Sequence, residues 1–272
     1  MAGDSEKAKT YYEKGMSYYK GEGVTLSYKE AAKWFREAAG LGSADAMYMM
    51  GVLNTDGNGI EKSNKRAVKW MVKAADNGNT EAMRVAGNCY CHGVSVEQSD
   101  EKAAGYYRMG AEKGDVSCMF SLACYLFSGE GVKEDADEGL KWLRKAVEAN
   151  YAPALARIAE MYRYGITVEQ SFNDAVRCYE SAASQNNAAA MVALGEMYLG
   201  GEGVEQSDSE GLKWITRAAE TGDADAMYTL AGMYLHGEAV EESREKGTEW
   251  MSKAAEAGNM MAVLAMGRLK SQ

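Results

Sequence analysis

The chain repeats itself every 36 residues. Segments beginning at Lys7, Ser43, Asn79, Asp115, Tyr151, Asn187 and Asp223 align without a gap, and an eighth begins at Asn259 and stops after 14 residues. A fixed period of this length marks a supersecondary unit that cannot bury its apolar face alone, so neighbouring units must stack. The repeats read as 7–42, 43–78, 79–114, 115–150, 151–186, 187–222 and 223–258, with a C-terminal capping helix at 259–272. Residues 1–272 are therefore expected to form one solenoid with no second domain.

The columns of the repeat spell a helix–turn–helix. Position 15 is Gly21, Gly57, Gly93, Gly129, Gly165, Gly201 or Gly237, where a left-handed residue ends a first helix at little steric cost. Position 18 is always Val or Ile (Val24, Ile60, Val96, Val132, Val168, Val204, Val240), an apolar residue suited to pinning the loop. Position 21 offers an N-cap to a second helix: Ser27, Ser63, Ser99, Asp135, Ser171, Ser207 or Ser243. Glu30, Glu138 and Glu210 stand at capping-box spacing from these caps, and Asp174 adds a fourth acid. The unit closes on Gly42, Gly78, Gly114, Asn150, Asn186, Gly222 or Gly258, the two residue types that best tolerate a left-handed end.

The second helix carries every tryptophan in one column, Trp34, Trp70, Trp142, Trp214 and Trp250, with Tyr106 and Cys178 in the other two copies. If that column is core, Trp142→Ala costs about 3–5 kcal/mol. In the first helix, position 5 is mostly methionine (Met47, Met83, Met119, Met191, Met227), at helical spacing that fits core packing. Position 9 is only Gly or Ala, from Gly15 to Gly267, which implies tight contact with another helix.

Composition excludes several classes. A net charge of −10 works against nucleic-acid and anionic-lipid binding. No apolar run is long enough for a membrane span or a signal-peptide core, and the five cysteines form no disulfide framework, so a cytoplasmic protein is expected. The glycine loops follow helices rather than strands, so they read as turns and not phosphate cradles. Asn54–Gly59 has the start of a calcium loop, but Lys65 stands where the acid is required. His92 and His236, far apart in the stack, read as ordinary surface histidines, and Cys89 and Cys91 diverge on their helix. No metal, cofactor or catalytic residues are assigned.

The pattern A-x-x-x-L-G-x-x-Y-x-x-G-x-G-V followed by K-A-x-x-W-x-x-K-A-A-x-x-G resembles the Sel1-like repeats, relatives of the tetratricopeptide repeat. The sixth copy reads AMVALGEMYLGGEGVEQSDSEGLKWITRAAETG. The resemblance implies an all-α, right-handed α-solenoid of seven helix–turn–helix repeats plus a C-terminal half repeat, with a concave face made by the first helices. It implies a scaffold or adaptor that binds a peptide or partner protein there. By the same analogy the inward positions are six (Tyr12, Tyr48, Arg84, Phe120, Val192, Tyr228), ten (Asn88, Glu160, Glu196) and thirteen (Tyr19, Phe127, Arg163, Leu199, Leu235), together with position fourteen. These columns vary in residue type while the packing columns do not.

A cysteine-rich subgroup of the family, with a disulfide in each repeat, is linked to penicillin binding. The cysteines here lack that pattern, so the activity is not carried over. An amide or β-lactam hydrolase is one alternative. A self-associating architectural protein is another: Arg268, Lys270, Ser271 and Gln272 read as a solubilising cap, and a monomer or weak homodimer is expected.

Overall fold

The computed structural model describes residues 2–269, among which there are fifteen α-helices and no strand. They alternate as the first and second helices of successive repeats. The chain divides into two compact units, 1–145 and 146–272, with the division falling inside one helix. The first unit holds α1 (Ala2–Lys20), α2 (Tyr28–Gly40), α3 (Ala44–Asp56), α4 (Asn64–Asp76), α5 (Thr80–His92), α6 (Asp100–Glu112) and α7 (Val116–Ser128), and it runs into α8 (Ala136–Glu148). The second holds α9 (Ala152–Tyr164), α10 (Phe172–Ser184), α11 (Ala188–Gly200), α12 (Asp208–Glu220), α13 (Ala224–His236), α14 (Arg244–Glu256) and α15 (Met260–Leu269). The architecture is an all-α repeat solenoid, in which successive helices pack on one another from α1 to α7 and from α9 to α15. No helix among the described residues is long and apolar enough to cross a membrane.

Turn chemistry fixes the helix ends as the sequence implies. Each second helix is capped by the side chain at position 21, which accepts the amide three residues on, from Ser27–Glu30 through Asp135–Glu138 to Ser243–Lys246. The reciprocal half of the capping box is replaced. The N-cap amide donates instead to the position-12 carbonyl of the first helix, as Ser27 to Tyr18, Ser99 to Tyr90 and Ser207 to Tyr198, and so ties the two helices together. The left-handed residues at position 36 bond back to the second helix, Gly42 to Ala39 and Asn150 to Val147. The next residue then caps the following first helix, as Ser43, Asn79, Asp115, Asn187, Asp223 and Asn259 do. Tyr151 makes no such side-chain cap, but Pro153 sits in the first turn of α9.

The core corrects one expectation. The tryptophan column is half-buried in all five copies, while the next position is buried in every copy: Phe35, Met71, Tyr107, Leu143, Tyr179, Ile215 and Met251. That column lies against position 9, since a Cβ added at Gly15, Gly51 or Gly87 would come within 2.7 Å of Phe35, Met71 or Tyr107. The tryptophans lie at the edge of this core with cations over their rings. Lys73, Lys145, Arg217 and Lys253 each cover the indole one turn earlier, at 4.0–5.4 Å. Glu37 occupies that place after Trp34, and Lys14 of α1 takes over at 3.8 Å.

Position 17 explains the second loop glycine. A Cβ on Gly59 would stand 2.3 Å from the backbone of Tyr28, and one on Gly131 would stand 2.2 Å from Asp100, so each loop is pressed on the second helix of the repeat before it. Gly23, with no earlier repeat beneath it, meets nothing. Ser95, Thr167 and Ala239 hold this left-handed position without being glycine.

On α15, Met260, Met261, Val263 and Leu264 are exposed. The side chain of Arg268 and the residues Lys270, Ser271 and Gln272, expected to form a solubilising cap, lie outside the described residues.

Candidate partner-binding face of the first helices

Position 6 follows directly after the largely buried position 5, and it is half-buried in every full copy. In the first unit Tyr12 packs its ring 5.8 Å from Phe35 and borders a hollow of about 590 Å³ shared with Ser5, Lys9, Ser43 and Asp45. Burial, then the charge of Asp45, pushes its phenol above the ordinary range. Tyr19 packs against Tyr28 at 5.4 Å and Phe35 at 6.4 Å. Burial again raises its pKa, helped by Asp56, Tyr28 and Tyr48, which places Tyr19 and Tyr48 in one neighbourhood.

The polar members of the set are engaged within the chain. Arg84 donates to Glu81 at 2.6 Å and lies 4.0 Å from Asp115 of the next repeat. Asn88 accepts the Tyr107 hydroxyl at 2.8 Å, and its carbonyl is 2.9 Å from His92 Nδ1. Phe120 is half-buried, and Phe127 fills the space left by Gly139, where a Cβ would come within 2.9 Å of its ring.

In the second unit Arg163 is only 8% exposed. Its Nε donates to Glu202 at 2.7 Å and its Nη1 to Glu196 at 2.9 Å, so one guanidinium links repeats five and six. Burial opposes its charge, but the two carboxylates outweigh that and raise its pKa. The sequence expected Arg163 to face a partner, whereas its donors are committed to this pair. Glu160 accepts from Arg157 at 2.6 Å. Leu199 and Leu235 lie over Gly211 and Gly247, while Val192 and Tyr228 are half-buried against the cores of α11–α14.

The other candidates have structural places. Asn54 is 2% exposed, donates to the Met50 carbonyl at 2.7 Å and accepts from Arg66 at 3.2 Å, so it supports a hairpin. None of the five cysteines is in a disulfide, and burial pushes Cys89, Cys118 and Cys178 up, away from the reactive thiolate. Among the described residues no group of three or more His, Cys, Asp and Glu is placed to hold a metal ion.

The comparisons with known proteins agree with the repeat architecture. The family model described as Sel1 repeat matches residues 11–43, 44–79, 80–115, 116–151, 152–187, 188–223 and 224–259. A search of the curated proteins found no match. Among solved structures, the chain is similar to a Sel1 repeat protein from Oxalobacter formigenes, at 30% identity and TM-score 0.76 over 96% of this chain and 76% of that one. It is also similar to a protective antigen of uropathogenic Escherichia coli with an SLR fold, at 30% identity and TM-score 0.75 over 96% of this chain. The chain spans just over half, 56%, of that antigen. Yeast Tom70, at 14% identity and TM-score 0.54 over 98% of this chain and 54% of that one, shares the fold.

Proposed function

The chain belongs to the Sel1 repeat family, and on that premise we propose that it is a non-catalytic scaffold whose first helices hold a segment of a partner protein. Repeat folds of this kind commonly serve protein interaction. The observation that carries the reading is position 6: Tyr12, Tyr48, Arg84, Phe120, Val192 and Tyr228 are half-exposed side chains of four kinds, set beside columns of core residues. A face that is constant in geometry and varied in chemistry suits sequence-selective recognition, with the aromatics as anchors. Arg163, Glu196 and Asn88 support that face through bonds inside the chain, and Tyr48, Phe120 and Tyr228 are the half-buried aromatics to test.

The test is to capture partners from a lysate of the source organism on the full chain and identify those that saturate. Tyr48→Ala, Phe120→Ala and Tyr228→Ala, made together, are expected to abolish their capture while the helical circular dichroism is retained. Undiminished capture by that variant sets the reading aside. Burial raises the Cys89, Cys118 and Cys178 thiols away from the nucleophilic thiolate, which favours a scaffold over a hydrolase.

A further inference from the structure

A second surface lies over the second helix of repeat two. A cleft of about 410 Å³ opens between α4 and the third repeat, a size in the range of small-ligand sites. Its floor is apolar: Val68, Trp70 and Val72 from α4, with Tyr90 and Val96 from the third repeat. Its rim is cationic, formed by Arg66, Lys69 and Lys73.

The charge there runs against the rest of the protein. Helix α4 carries Lys65, Arg66, Lys69 and Lys73 against the single acid Asp76, and has no acid in its first turn, in a chain of net charge −10. Arg66 is engaged by Glu61 at 2.9 Å and by Asn54. Lys69 and Lys73 have no ion-pair partner among the described residues, and Lys73 lies 4.9 Å over the Trp70 ring. The equivalent place in repeat six shows what is special. There Trp214, Tyr234 and Val240 keep the frame, but Glu210 stands in the position of Arg66 and pairs with Lys213 at 3.1 Å, and Thr216 replaces Val72.

We propose that this cleft is a second docking site, independent of the first-helix face, for an acidic peptide segment that inserts one bulky apolar side chain between Trp70 and Tyr90. The apolar floor accepts the side chain, and carboxylates beside it meet Lys69 and Lys73. Next to it, a hollow of about 250 Å³ lined by Asp76, Lys102 and Tyr106 leaves room for the segment to continue. Tyr106 joins the two places, since its ring stacks on Tyr90 at 5.8 Å and its hydroxyl bonds Asp76.

The experiment is selection of a random peptide library, displayed on phage, against the intact chain. Enriched sequences should combine Asp or Glu with a large aromatic or aliphatic residue. A fluorescein-labelled copy of the strongest should lose roughly tenfold or more in affinity on Lys69→Glu with Lys73→Glu, and should weaken with added salt. Lys213→Glu should leave it unchanged, as should the Tyr48, Phe120 and Tyr228 variant, so this proposal and the first-helix reading fail separately. Both lysines are exposed, so unchanged circular dichroism is expected and checks that the fold is retained. No enrichment, enrichment of basic or purely apolar sequences, or binding indifferent to the two lysines overturns the proposal.

Discussion

Gly87 sits directly beneath the ring of Tyr107, so close that a Cβ there would lie 2.6 Å from Cε1. In an exposed helix, alanine would be better than glycine by about 1 kcal/mol. Here the added carbon must displace a buried ring whose hydroxyl is bonded to Asn88. Gly87→Ala is therefore expected to destabilise by about 1–3 kcal/mol. Gly105 is the internal control, a glycine within α6 that meets nothing, and Gly105→Ala should stabilise by about 0.5–1 kcal/mol. Urea midpoints of the two variants should move in opposite directions, and a shared direction would refute the packing argument.

Leu143 and Trp142 are neighbours with reversed importance. Leu143 is fully buried, whereas Trp142 is half-buried, covered by Lys145 at 4.0 Å and bonded through Nε1 to Glu138 at 3.2 Å. Leu143→Ala is expected to cost about 2–5 kcal/mol, as cavity-forming truncations do. Trp142→Ala removes less buried area and leaves a surface dent that water can fill, so about 1–3 kcal/mol is expected. Chemical denaturation of both variants measures the order, and a larger loss for Trp142 would restore the tryptophan column to the core.

Much of this architecture is legible in the sequence because turns demand particular residues. Gly21 and Gly57 end helices in the left-handed region, Asn150 and Asn186 substitute for glycine where asparagine can, and Ser27 and Ser207 cap. The column after the tryptophans was missed because packing constrains volume and not identity. Phe35, Met71, Tyr107 and Ile215 share no letter, yet fill one place. The capping-box expectation failed at the amide of Ser27, because a carbonyl of another helix reached it first. The commitment of Arg163 to Glu196 and Glu202, one repeat away, has no local pattern to announce it. The α4 cleft was hidden for the same reason, being assembled from two repeats.

Thr167 holds φ at +64° in the loop position where other copies use glycine. A β-branched residue there is strained by about 1–2 kcal/mol. Glycine relieves that strain but adds freedom to the unfolded chain, which takes back about 0.4–1 kcal/mol. Thr167→Gly is expected to stabilise by about 0.5–1 kcal/mol, and Ala239→Gly, at φ +58°, by less. Thermal unfolding of the two variants tests this, and a fall in the midpoint for Thr167→Gly would show that the side chain contributes contacts that outweigh its strain.

Glu138 accepts both guanidinium nitrogens of Arg108 from the preceding repeat, and that bond, more than the one from Trp142, holds its carboxyl below the ordinary 4.5, against a smaller opposing effect of burial. A carboxyl with a depressed folded pKa takes up its proton more readily when unfolded. Its contribution is therefore complete above about pH 4.5 and is lost as the pH falls through the folded value. Both side chains are about a third exposed, at 37% and 32%, so the contribution is modest, below roughly 1 kcal/mol. Glu138→Gln should be less stable than the parent at about pH 7, with the difference shrinking at about pH 3 as the parent protonates. Urea denaturation at both values reads the gap directly. A gap that stays constant or widens on acidification would mean that the Arg108 pair does not stabilise the stack.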